Sequence, residues 1–191
     1  MKYLFTLALI LLSFSVFAQT INFPDETLKS KLVNYTPNID INNDSEIQVS
    51  EAQAYTGGLD LQVDYSSTPY EKIENLEGLE YFENVNYLNL NYNDPFELID
   101  FSNLESLDSL KLRHVDVVLD TLKVLDNQNL QKLDLSENGN AVFKVSNLSN
   151  LEYLNLTHDD FSDGFPAEIN SLPSLRKLDI VETNISDVDG L

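Results

Sequence analysis

Asp40, Asn42, Asp44, Glu46, Gln48 and Glu51 place oxygen-bearing groups at the first, third, fifth, seventh, ninth and twelfth positions of one short stretch. A hard cation such as calcium takes about six to eight oxygens, and a loop supplies them when alternate positions turn inward. In that geometry Asp40, Asn42 and Asp44 offer side-chain oxygens, Glu46 its backbone carbonyl, and Gln48 lies near a water-mediated position. Glu51, just inside the helix-favouring run Ala52-Gln53-Ala54-Tyr55, closes the set with both carboxylate oxygens, while Ile47 turns into the core. A second reading needs no metal: an Asp/Asn-rich turn that caps a helix starting near Ser50.

The other chemistry-bearing side chains argue against an enzyme. His114 and His158, the only histidines, fall at the same place of a repeated frame, two repeats apart, which sets them roughly 10 Å from each other on a sheet. They do not share a metal there, and His158 with Asp159 and Asp160 reads as a solvated turn. The chain has no cysteine nucleophile, serine elbow or phosphate-cradling glycine loop.

The elements that must hold the loop follow from periodicity. Leu28, Leu32 and Tyr35 recur at helical spacing, and Pro24, Asp25 and Glu26 suit a first turn, so Asp25 to Tyr35 is expected to be a short helix stopped by Pro37. With the run after Glu51 this makes a helix-loop-helix, and the loop resembles that of an EF-hand at its ligand positions. It departs from that family in two ways. The sixth position, usually glycine, is Ser45, at a cost of roughly 1 kcal/mol, and Thr36 to Ile39 separate the entering helix from Asp40.

From Thr56 a frame repeats, typified by Leu130-Gln131-Lys132-Leu133-Asp134-Leu135-Ser136-Glu137-Asn138. Copies start at Thr56, Val85, Leu107, Leu130, Leu151 and Leu175, at intervals of roughly 21 to 29 residues, the signature of a solenoid. The apolar, polar, apolar alternation reads as one short strand and a turn. Between strands, Ile73, Leu76, Leu79, Phe82 and Val85 recur every third residue, as a tight turn requires. Gln62 to Tyr70 reads as a loop inserted into the first repeat.

The frame is similar to the leucine-rich repeat. That resemblance implies an α/β solenoid with a parallel sheet on the concave face, short helical or irregular convex segments, and the helix-loop-helix as an amino-terminal cap. It also implies that asparagine at the ninth place, Asn93 and Asn138, bonds backbone groups as a ladder, with Asp64 and Asp159 substituting in part and interruptions at Val115 and Thr183. Phe161 to Ile169 resembles the "G-x-(I/F)-P" variant of the repeat. Cap first and repeats after, the layout resembles that of internalin-like bacterial surface proteins.

Residues at the third, fifth and seventh places point away from the core. Tyr87, Lys132, Tyr153 and Lys177 fall at the third, Asn89, Lys111, Asp134 and Asn155 at the fifth, and Arg113 at the seventh. This mixed-charge patch with two tyrosines suits partner recognition, and it equally suits a strand face that simply needs polar residues.

Composition and targeting set the context. Lys2, the apolar run Leu4 to Phe17 and the small residues around Ala18 read as a signal peptide cleaved after Ala18. The expected organisation is a leader at 1–18, a cap at 19–55 and about six repeats at 56–191. No cysteine is present to form a disulfide or take a lipid. The net charge of −21 makes nucleic acid and anionic membrane poor partners. Asp187-Val188-Asp189-Gly190-Leu191 ends partway through a repeat, suggesting a longer parent protein.

The sequence therefore points to a secreted or cell-surface, non-enzymatic module that binds an extracellular protein or glycan, with calcium as its one candidate cofactor. The alternatives are a structural spacer within a larger surface protein and, further off, an extracellular hydrolase.

Overall fold

A computed structural model describes residues 19–64, 71–93, 101–115, 122–139, 143–162, 165 and 167–185. The leader, most of the inserted loop at Gln62 to Tyr70, part of Phe161 to Ile169 and the last residues from 186 lie outside them. Among the described residues, no helix is long and apolar enough to cross a membrane.

Six strands form one parallel sheet: β1 (Gly57–Asp60), β2 (Val85–Asn89), β3 (Ser109–Lys111), β5 (Lys132–Asp134), β7 (Tyr153–Asn155) and β8 (Lys177–Asp179). The third, fourth and fifth places of all six frames align across the sheet, so that Tyr87, Ser109, Lys132, Tyr153 and Lys177 stand side by side. The leucine spine explains the register. Leu59, Leu88, Leu110, Leu133 and Leu154 are all buried on one face, and a slip of one residue would expose every one of them.

The returning segments wind as tightly as their three-residue spacing demands. Leu79 N–H donates to Leu76, Phe82 to Leu79 and Val85 to Phe82, each at 3.0 Å, and the pattern recurs at Phe101, Leu104 and Leu107. Beside the short helical turns at Leu79–Tyr81 and Ala167–Ser171, the returning segments add a feature that the sequence did not announce: β4 (Leu122–Leu125) and β6 (Phe143–Ser146) pair as a second parallel sheet with Val124 and Val145 in register and buried. β-Branched residues repeating at this spacing in two successive units can stack and pair, which removes the need for a helix.

At the amino-terminal end, α1 (Glu26–Val33) and α2 (Val49–Ala54) cover the first repeat. Asp25 caps α1 through Oδ1, which accepts the Leu28 N–H at 2.8 Å, and its Oδ2 reaches the Glu74 and Asn75 N–H groups of the first repeat at 2.7 and 3.0 Å. The outer edge of β1 would otherwise be an open pairing edge. Tyr35 and Tyr55 close it: both hydroxyls donate to the Gly58 carbonyl, at 3.1 and 3.0 Å, and the Tyr35 oxygen accepts the Asp60 N–H at 2.6 Å.

Candidate functional site

The loop between α1 and α2 gathers its oxygens around its own backbone. Asp40, buried, accepts the Asp44 and Ser45 N–H groups at 3.2 and 2.9 Å. Asn42 accepts Asp44 N–H at 2.8 Å, and Asp44 accepts Glu46 N–H at 2.9 Å. Ser45 takes φ 66, so the sixth position has the left-handed backbone that glycine usually supplies. Ile47 is fully buried. Glu51 spends one oxygen on the Ile41 and Asn42 N–H groups, at 2.9 and 3.3 Å, and the other on Gln48 N–H at 3.0 Å, which caps α2. The Asn42 amide donates to Asp44 and to Gln48, both at 2.9 Å, and the Glu46 carboxylate pairs with Lys29 at 2.7 Å. Among the described residues, no three His, Asp or Glu side chains form a cluster able to hold a metal ion.

The second candidate is the sheet face opposite the leucines. Tyr87 lies over Gly58, where a Cβ would come within 2.9 Å of its ring, and the Lys111 ammonium stands 5.6 Å from the ring centroid. Tyr153 repeats the arrangement with Lys177 at 4.7 Å. Its hydroxyl donates to Asp179 at 2.8 Å, and Lys177 donates to the same oxygen at 2.7 Å. Burial first, and then the Asp179 hydrogen bond and charge, push the Tyr153 phenol up to about 12. Lys132 sits between the two tyrosines in the aligned row and is exposed. Arg113 pairs with Glu137, which holds that carboxyl below its ordinary range, and packs 5.7 Å from the Tyr92 ring.

The fifth-place residues do a different job from the one their exposure pattern suggests. Asn89 is only 3 % exposed, its amide donating to Asp60 at 3.0 Å and its oxygen accepting Asn91 N–H at 3.1 Å. Asp134 accepts Ser136 N–H at 3.1 Å, and Asn155 accepts Thr157 N–H at 3.1 Å while donating to Asp134 at 3.0 Å. Each closes its own strand end with a two-residue side-chain turn. Asn89, Asp134 and Asn155 thus have side-chain polar atoms engaged by their own or neighbouring strands. The signal was available: Asp or Asn fills the fifth place in every frame except the one with Lys111.

A row that the alternation rule misses runs along the strand ends. Tyr92, His114, Glu137, His158 and Glu182, the eighth residue of five successive frames, all have positive φ, between 49 and 65. Tyr92 and His114 rings lie 5.6 Å apart, and His158 Nδ1 lies 3.2 Å from the Glu182 carboxylate.

No family model matches the chain. Among solved structures it is similar to an internalin (inlF) from Listeria monocytogenes, at 21% identity and TM-score 0.49, over 87% of this chain and 58% of that one. It is also similar to internalin C2 (inlC2) from the same bacterium, at 19% identity and TM-score 0.50, over 91% of this chain and 93% of that one. The second likeness, with the parallel sheet and its repeated register, establishes the fold as a leucine-rich repeat solenoid of the internalin kind.

Proposed function

We propose that the protein is an exported, non-enzymatic recognition module that captures an extracellular protein or glycan on the outward face of its six-stranded sheet. The observation that carries this reading is the pairing of Tyr87 with Lys111 and of Tyr153 with Lys177 on either side of exposed Lys132. Three strand steps separate the tyrosines by about 14 Å. Held in register, these side chains lose little further freedom when a partner docks, and rigid aromatics beside cations suit interface anchors.

The test is capture by the immobilised chain from arrayed extracellular proteins and glycans, set against a variant carrying Tyr87→Ala, Lys132→Ala and Tyr153→Ala. Capture is expected to fall at least about thirtyfold, the equivalent of 2 kcal/mol, with the far-ultraviolet spectrum unchanged. Equal capture by the folded variant overturns the reading and favours the spacer.

We further propose that the Asp40 to Glu51 loop takes calcium weakly as a brace for the cap. Hard oxygen donors at Asp40, Asn42, Asp44, Glu46 and Glu51 and the left-handed backbone at Ser45 support it. Because Asp44, Gln48 and Glu51 are already hydrogen-bonded within the loop and its carboxylates do not converge on one point, a cation must displace those contacts and draw the side chains together. The expected dissociation constant is therefore in the range of about 0.1–1 mM that extracellular modules use. Calcium at ~10 mM is expected to raise the melting temperature by a few degrees, and Asp40→Ala or Glu51→Ala to remove the increase. The same melting temperature with calcium and with chelator sinks the proposal.

A further inference from the structure

The ninth places of successive frames form the ladder, and two of them define its bonding. Asn93 donates through Nδ2 to the Leu61 and Leu90 carbonyls, at 3.1 and 2.9 Å, and accepts Ile73 N–H at 2.9 Å. Asn138 donates to the Leu112 and Leu135 carbonyls and accepts Val115 N–H at 3.0 Å. The side-chain amide thus joins the sixth-place carbonyl of its own repeat to that of the repeat before, and its oxygen takes an N–H from the preceding turn. Val115 has no amide to join the Leu90 and Leu112 carbonyls, so the ladder is interrupted there as the sequence implies, although the Val115 N–H is itself held by the rung that follows.

Asp159 occupies the next rung and reproduces only half of this pattern. Its Oδ1 accepts Asn138 N–H at 2.7 Å, and its own N–H lies 3.4 Å from the Leu156 carbonyl, as that of Asn93 does from Leu90. The residue is 2 % exposed, and Oδ2 is buried with no hydrogen-bond partner among the described residues. In the repeat pattern that atom corresponds to Nδ2 of Asn93 and Asn138, which donate to sixth-place carbonyls, and the sixth-place carbonyls of this rung are those of Leu135 and Leu156. Those are acceptors, and an ionised oxygen has nothing to give them.

We propose that Asp159 is a protonated rung: a neutral carboxylic acid whose Oδ2–H replaces an asparagine N–H, making the joint between the Leu130 and Leu151 repeats sensitive to pH. The surroundings favour the proton. Burial, then the charges of Asp134 on β5 and Glu137 in the turn after it, raise the acid to about 8, against the pull of the Asn138 and Gly139 backbone N–H groups. In its own turn, His158 pairs with Glu182, and Asp160 accepts Ser162 N–H. On the far side, Thr183 donates to the Ile180 carbonyl. None of these brings a cation onto Oδ2.

The sign follows from linkage. An acid whose proton is held more tightly in the folded chain contributes stability below its unfolded value, about 3.9, that is lost as pH rises toward about 8. Melting curves of the full chain and of Asp159→Asn, from pH 5 to pH 9, read this directly. The two are expected to melt within a degree or two of each other at pH 5, with the variant higher by about 5 °C or more at pH 8.5. Parallel curves overturn the proposal. Infrared spectra of the unsubstituted chain decide independently of how the variant folds. A protonated-carboxyl band persisting at pH 7 and lost by pH 9.5 supports the rung, and its absence at pH 7 excludes it. A metal held in place of the proton would leave no such band and make the melting temperature depend on chelator, and that outcome also overturns it.

Discussion

Asn138→Ala is expected to lower the stability of the chain by roughly 3–5 kcal/mol. The side chain is buried, and it satisfies the Leu112 carbonyl at 2.8 Å, the Leu135 carbonyl, and the Val115 N–H at 3.0 Å. Alanine removes all three bonds and leaves their partners dry, each at about 1–3 kcal/mol, while water entering the gap recovers part of that. Urea midpoints read the loss if the slope of the transition is unchanged. For a domain of this size the melting temperature should drop by about 10 °C. Asn129→Ala is the control, since that exposed amide donates, among the described residues, to the Glu105 carbonyl alone, and it is expected to cost under about 1 kcal/mol. Equal effects of the two substitutions would mean that the ladder is not what holds successive turns together.

The second large effect is expected at Gly78, where the cap meets the first repeat. Its φ is 103, and a Cβ built there would stand 2.5 Å from two carbons of the Phe23 ring and 3.1 Å from Ile21 Cγ2. Phe23 and Ile21 are both buried, and the arm that carries them is pinned by Ile21 N–H to the Ile47 carbonyl at 2.9 Å and by Val49 N–H to the Gln19 carbonyl at 2.8 Å. The ring therefore cannot move aside without lifting the arm. Gly78→Val is expected to cost about 3–5 kcal/mol, from the left-handed backbone and the overlap together, and to open the arm at residues 19–25 to protease. Gly139→Ala separates the two causes: its φ is 63 but, among the described residues, nothing lies within 4 Å of its Cβ position, so only about 1 kcal/mol is expected. Similar losses at both glycines would show that strain alone matters and that Phe23 yields.

Much of this fold was readable from the chain because one unit is tested repeatedly. A leucine at a fourth place predicts a buried position once; Leu88, Leu110, Leu133 and Leu154 at the same place predict a sheet and its register. The helix from Asp25 was legible for a local reason, since its cap residue and apolar spacing lie within one turn or two of each other. The strands of the returning segments were not, because Leu122 to Leu125 and Phe143 to Ser146 become strands only when stacked on each other. Alternation also overstated the sheet face: it says which way Asn89, Asp134 and Asn155 point, but not that their first bonds are to their own backbone. The eighth-place residues carry no glycine signal at all. Tyr92, His114, Glu137 and His158 take a left-handed backbone because backbone bonds across neighbouring turns, such as Tyr92 N–H to the Arg113 carbonyl, fix it from outside the residue.

The two tyrosine hydroxyls on β1 have a consequence for how such a protein changes over evolutionary time. Downstream of β1 every joint is the same parallel pairing between similar frames, so duplication or loss of one repeat leaves two surfaces that still match. Upstream there is no such freedom, because Tyr35 and Tyr55 occupy the Gly58 carbonyl and Asp60 N–H that another strand would need. Repeat number is thus free to drift on one side of a fixed origin, and the spacing of surface side chains can be counted from that origin whatever the length of the array.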